Sequence, residues 1–107
     1  MVDRTHINGE GIVAGYVLAD VSWTSAEGRQ AYLNLLGPTL EAWGGTITCR
    51  SRDVHVMEGD WHPEGLTVLI SFPTLEDALA WYDSEEYRPA RDIRLQSSSS
   101  RVLIFGE

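Results

Sequence analysis

Four side chains of this sequence have the chemistry of a small acid–base site: Asp20, Tyr32, His55 and Arg94. Asp20 comes late in the run Tyr16-Val17-Leu18-Ala19-Asp20-Val21, and a carboxylate among apolar residues holds a proton more tightly, which suits a general base. The same residue at a strand end would equally well cap a turn or pair with an arginine, since structural ion pairs also perturb carboxylates. His55 alternates with Val54 and Val56, so it is either an acid–base group or a strand-face histidine bonded across a sheet. Arg94, between Ile93 and Leu95, presents a planar fork that fits a carboxylate or an enolate. Its structural alternative is an ion pair with Asp20, Asp92 or Glu58. Tyr32 falls in a helical apolar pattern and is the candidate proton donor. Because an unpaired charge among apolar neighbours is costly, Asp20 and Arg94 are expected to share one polar site.

Other reactive groups are weaker candidates. His62 follows Trp61 in a turn-rich stretch and reads as a solvated loop residue or the lip of a pocket, and His6 lies near the N-terminus. His55, Asp60 and His62 have no spacing that marks a metal site, so no metal and no cofactor is expected. Cys49 is the sole cysteine; within an alternating strand it reads as an inert interior thiol. Tyr32, Trp43, Trp81, Tyr82 and Tyr87 form an aromatic helical layer, either core or the wall of a pocket for a planar ligand. The serine run at 97–100 lacks a nucleophile elbow.

Composition narrows the partners. The chain has 107 residues, room for one core, and 43% hydrophobic content excludes a disordered polymer. A net charge of −8 argues against nucleic acid and anionic membranes. All eight basic residues are arginine, which removes Schiff-base chemistry through a lysine side chain. No apolar run approaches a membrane span, and residues 1–12 read as a flexible polar leader without a signal-peptide core. A cytoplasmic protein is expected, with a single domain over 13–107.

These residues must be held by a sheet and helices. Val13–Val21 reads as a buried strand, followed by a capping box at Thr24–Glu27 and a helical pattern running to Trp43. Gly37-Pro38 should kink or loosen that helix, and Gly44 should end it in a left-handed cap. Gly45–Arg50 and Val54–Glu58 alternate as a hairpin, and Leu66–Phe72 is apolar on both faces. A second capping box at Thr74–Asp77 opens a helix whose stripe is Leu75, Ala78, Leu79 and Tyr82. A short helical segment with Pro89 near its start, a serine loop and a last strand, Arg101–Phe105, complete the chain.

The order is β-α-β-β-α-β, an α+β ferredoxin-like sandwich with an antiparallel sheet. Its helices cover one face only, yet the interior strands are apolar at both alternating positions. A second copy is the simplest cover for the other face, so a homodimer is expected.

Tyr16–Val21, the helix ending Trp43-Gly44-Gly45, Arg50, Met57–Trp61, Phe72–Tyr87 and Arg94 stand in an order and spacing that resembles domain-of-unknown-function family 1330. The most specific piece is F-P-x-L-E-x-A-x-x-W-Y-x-S-x-E-Y, and the resemblance runs from about Tyr16 to Gly106. It implies a ferredoxin-like subunit of a dimeric α/β barrel. The sequence departs from the family's pattern at Thr46 and at Gly65-Leu66, where a basic residue is usual. Related barrel families include cofactor-free monooxygenases, isomerases, cyclases and lyases. The expectation is therefore a small cofactor-independent enzyme acting by proton transfer on a small organic molecule of anionic or aromatic character. In it Asp20 or His55 is the base, Arg94 the anion holder and Tyr32 the donor; the alternative is a non-catalytic ligand-binding or dimerisation module.

Overall fold

Residues 14–107 are described in the computed structural model; the expected leader and the strand start at Val13 lie outside them. The first strand, β1 (Gly15–Trp23), is an interior strand paired antiparallel on both sides. After it come α1 (Ala26–Trp43), β2 (Thr46–Ser51), β3 (Leu66–Phe72), α2 (Leu75–Asp83), α3 (Arg88–Ser97) and β4 (Ser98–Gly106). The sheet order is β2-β3-β1-β4, the ferredoxin-like arrangement in which both crossover helices pack on the same face.

Register divides the sheet into two faces. Val17, Ala19 and Val21 of β1, with Ile70 and Phe72 of β3, point toward the helices and are buried beneath Leu36, Leu40, Ala78 and Trp81. Tyr16, Leu18 and Asp20 point the other way, beside Leu69, Leu103 and Phe105. No helix covers that second face, and Leu103 and Phe105 remain about half exposed, at 52% and 48%.

Several expectations need correction. Val54–Glu58 forms no strand; β2 takes Leu66–Phe72 as its neighbour, and residues 52–65 become a long connection with exposed Val54, Val56 and Met57. Apolar alternation was a weaker determinant there than the more apolar β3, which presents apolar residues to both faces of the sheet. A bulge between Ile47 and Cys49 shifts the parity of β2, so Cys49 falls on the open face and is exposed rather than interior. The first helix is capped by Ser25, whose Oγ accepts from Gly28 N at 3.0 Å, one residue later than expected. The Thr24 amide is instead spent on Ser97 O at 2.7 Å, tying the start of α1 to the end of α3. Pro38 does not interrupt α1. The serines form no loop, because α3 runs through Ser97 and β4 begins at Ser98. On α2 the buried residues are Ala78 and Trp81, while Leu79 is exposed.

The caps at Thr74, which accepts from Asp77 N at 3.0 Å, and at Gly44, with φ 75°, stand as expected. Among the described residues no helix is long and apolar enough to cross a membrane.

Candidate functional site

The short turn between α2 and α3 builds one side of the site. Ser84 Oγ donates to Trp81 O at 2.8 Å and accepts from Tyr87 N at 3.1 Å, which folds residues 84–87 tightly and turns Tyr87 inward. The Tyr87 ring lies 4.0 Å from Trp81, centroid to centroid, and is almost wholly buried. From α1, Tyr32 meets it edge-on, and the two hydroxyls share a hydrogen bond of 2.8 Å. Burial, and then Tyr87 beside it, push the Tyr32 hydroxyl well above the usual tyrosine range, only partly opposed by Arg94. Tyr32 therefore stays protonated and can donate but not abstract.

Arg94 projects from the last turn of α3 and is 2% exposed. Its Nη1 donates to Ser100 Oγ at 2.6 Å, and its carbonyl accepts from Ser98 Oγ at 2.6 Å, so the first residues of β4 clamp it at both ends. Its Nη2 is buried and no protein atom meets it in hydrogen-bond geometry, although the Tyr87 and Tyr32 hydroxyls lie close enough to interact with the guanidinium. Burial works against the guanidinium charge, but Tyr87, Tyr32 and Tyr82 beside it more than offset that, and its pKa is held above the ordinary arginine value. Arg94 is thus a permanent buried cation with its Nη2 donor group to spare.

That donor belongs to the lining of a cavity of about 90 Å³ between the helices and the sheet. Aliphatic side chains of the strands make its floor, Trp23 and Trp81 contribute its walls, and Tyr32, Tyr82, Tyr87 and Arg94 supply polar groups. Arg29 of α1 and Arg50 of β2 complete the lining and are exposed to solvent. No carboxylate or imidazole of the described residues lines this cavity.

The structure therefore brings together two of the four sequence candidates and separates the other two. Asp20 lies on the opposite face of the sheet from Arg94: it pairs in register with Arg101 and Thr67, whereas the Ser100 that holds Arg94 pairs with Val21. A one-residue difference in register reverses the face, so the expected shared polar site does not form. Asp20 is buried by the return of the chain into β3, and its Oδ1 accepts from Gly65 N at 3.2 Å. A polar groove there also contains His62, Glu64 and Arg101. His55 is not on a strand; it sits on the exposed connection, with Nε2 2.9 Å from Asp53 Oδ1.

Arg29 and Arg50 are the lining residues that the sequence reading did not assign; Tyr87 was read as core or pocket wall, without its hydroxyl pairing to Tyr32. Arg29 was within reach, being three residues before Tyr32 on one helical face. Tyr87 is 55 residues from Tyr32, and nothing local marks the pairing.

A four-stranded antiparallel sheet with its helices on one face defines a ferredoxin-like α+β protein. The chain belongs to the family described as "Domain of unknown function (DUF1330)", whose model matches residues 14–107. A protein of unknown function from Rhodopseudomonas palustris is similar in structure, with TM-score 0.69 at 20% identity over 90% of this chain and 83% of that one. A dimeric ferredoxin-like protein of unknown function from Thermobifida fusca has TM-score 0.59 at 14% identity, covering 96% of this chain and all (100%) of its own. SnoaB, a cofactor-independent oxygenase from Streptomyces nogalater, has TM-score 0.56 at 11% identity over 86% of this chain and 89% of that one. No curated protein matches the chain.

Proposed function

We propose that this chain is a small cofactor-independent enzyme that binds an ionisable, largely apolar molecule and stabilises the negative charge on its oxygen. The observation that carries this reading is the buried Arg94 Nη2, unpartnered, in the lining of an apolar cavity beside the Tyr32–Tyr87 hydroxyl pair. A carbonyl or phenol oxygen placed there accepts from Arg94 and from a tyrosine hydroxyl. Both donors gain as the oxygen becomes an enolate or phenolate, the condition for lowering a barrier rather than merely binding. With no carboxylate or imidazole in the lining, suitable substrates have a proton acidic enough for water to remove, such as phenols and 1,3-dicarbonyls. Asp20 and His55 have no part in this mechanism. That SnoaB works without a cofactor is compatible with it.

Acetylacetone tests the proposal. Its central C–H should exchange for deuterium faster with the protein than in buffer, and Arg94→Met should abolish the acceleration. Binding of acetylacetone should weaken by about 10- to 100-fold in the same variant, the worth of a hydrogen bond to a charged group. Arg94→Met should leave thermal stability equal or higher, since a buried cation with few partners is replaced by a residue of similar volume. Exchange no faster than buffer, with binding that still needs Arg94, would make the protein a binding module; binding indifferent to Arg94 would remove the site altogether.

The working unit in this reading is a homodimer. Leu18, Leu69, Leu103 and Phe105 give the open face an apolar surface, and the similar Thermobifida protein is described as dimeric. Light scattering at micromolar concentration should return about twice the 11.9 kDa chain mass, with an interface of roughly 1,200 Å² or more. A stable monomer there would refute it.

A further inference from the structure

We propose that the molecule taken by this cavity carries a second anionic group, a carboxylate, held at the rim by Arg29 and Arg50. The inference rests on the reading of Arg94 above and deepens it. The chain has sixteen acidic and eight basic residues, yet the charged lining of the cavity is Arg29, Arg50 and Arg94, with no acidic side chain. A concave site of one sign on a protein of the opposite net sign concentrates field lines on that site and favours an anion. The aromatic wall and aliphatic floor require an apolar body between the charges.

Geometry sets the spacing. Arg50 pairs in register with Val68, Val68 with Ala19 and Ala19 with Val102, so one row of helix-facing residues crosses the sheet from β2 to β4. The Arg94 guanidinium sits at Ser100, two residues along β4 from the end of that row. Three strand spacings separate β2 from β4, about 14 Å, less the reach of the Arg50 side chain. Size adds a limit. A cavity of about 90 Å³ is smaller than the roughly 150 Å³ that holds a benzene ring in a closed protein cavity. A molecule anchored on Arg94 therefore encloses no more than part of a single ring within the cavity and extends outward past the rim, where Arg29 and Arg50 are exposed. The substrate class that fits is a one-ring or similarly small hydroxy- or oxo-acid, its ionisable oxygen inside and its carboxylate at the mouth.

Calorimetric titration with 4-hydroxycinnamate and its methyl ester separates the two layers of the argument. These probes share the ring and the phenol and differ in the carboxylate charge. The acid should bind about tenfold more tightly than the ester, the scale of two partly exposed ion pairs. Raising the salt should erode that preference, because the rim pairs are screened. In the double variant R29Q/R50Q the acid should fall to the ester's affinity, so that the preference vanishes; both positions are exposed, and a melting curve checks the fold. Equal binding of acid and ester by the native protein, each still weakened by Arg94→Met, would overturn the carboxylate and leave the inner site standing. Failure of both probes to bind, or binding indifferent to Arg94, would remove the inner site and the rim with it.

Discussion

Replacing Trp81 with alanine should cost about 3–5 kcal/mol of folding stability, a large part of the roughly 5–15 kcal/mol available to a domain of this size. The indole is 1% exposed. Its ring lies 4.0 Å from Tyr87 and 5.3 Å from Phe72, and its Nε1 donates to Thr39 Oγ1 at 3.1 Å, linking α2 to α1. Alanine would open a void beside a cavity that already exists, so little can collapse to fill it. Trp81→Phe keeps most of the packing and should lose much less. Urea denaturation of both variants measures the difference, and a loss below about 1 kcal/mol for alanine would show that the layer is loosely packed.

Gly65→Ala should also destabilise, by about 1–3 kcal/mol or more, through overpacking against main chain. A Cβ there would lie 2.1 Å from Val21 O, an atom of the neighbouring strand that cannot rotate away. The strand start would have to move, and with it the Gly65 amide that Asp20 accepts from. Gly37→Ala is the matched control. It sits within α1 with nothing inside 4 Å of the new methyl group, and should stabilise by roughly 0.5–1 kcal/mol. Opposite signs at the two glycines, read from chemical denaturation, are the expected result; a neutral Gly65→Ala would mean that β1 and β3 are free to separate there.

Most of the fold was legible because its determinants are local. The apolar, β-rich runs of β1 and β3, the Thr74 cap and the Gly44 terminator each act within a few residues. The errors share a different origin. Val54–Glu58 has strand periodicity, but whether it pairs depends on which segment occupies the place beside β2. Cys49 has the alternation of an interior residue, but a bulge one position earlier reverses its face. The candidate site was half legible for the same reason. Arg94 and Tyr32 stand out by type and by their apolar neighbours, whereas the separation of Asp20 from Arg94 follows from the register of β1 on β4. Strand pairing over more than eighty residues leaves no trace in either strand's own sequence.

The order β2-β3-β1-β4 also bears on how the chain is made. The central strand β1 is synthesised before either of its neighbours, and its partner β4 comes after every other described element. Gly15 must wait for Gly106 and Val21 for Ser100, which at ribosomal speeds of about 5–20 residues per second is an interval of roughly 4–18 seconds. Throughout that time Val17, Leu18, Ala19 and Val21 are a nascent strand, apolar on both faces and with an open edge, the kind of segment that pairs with another chain. Arg94 meets Ser100 only at the close of the same interval, so the site is not complete until β4 has emerged. A truncated or stalled chain would hold the sticky strand without the residues that cover it, and early occupation of that edge by a chaperone would suit this topology.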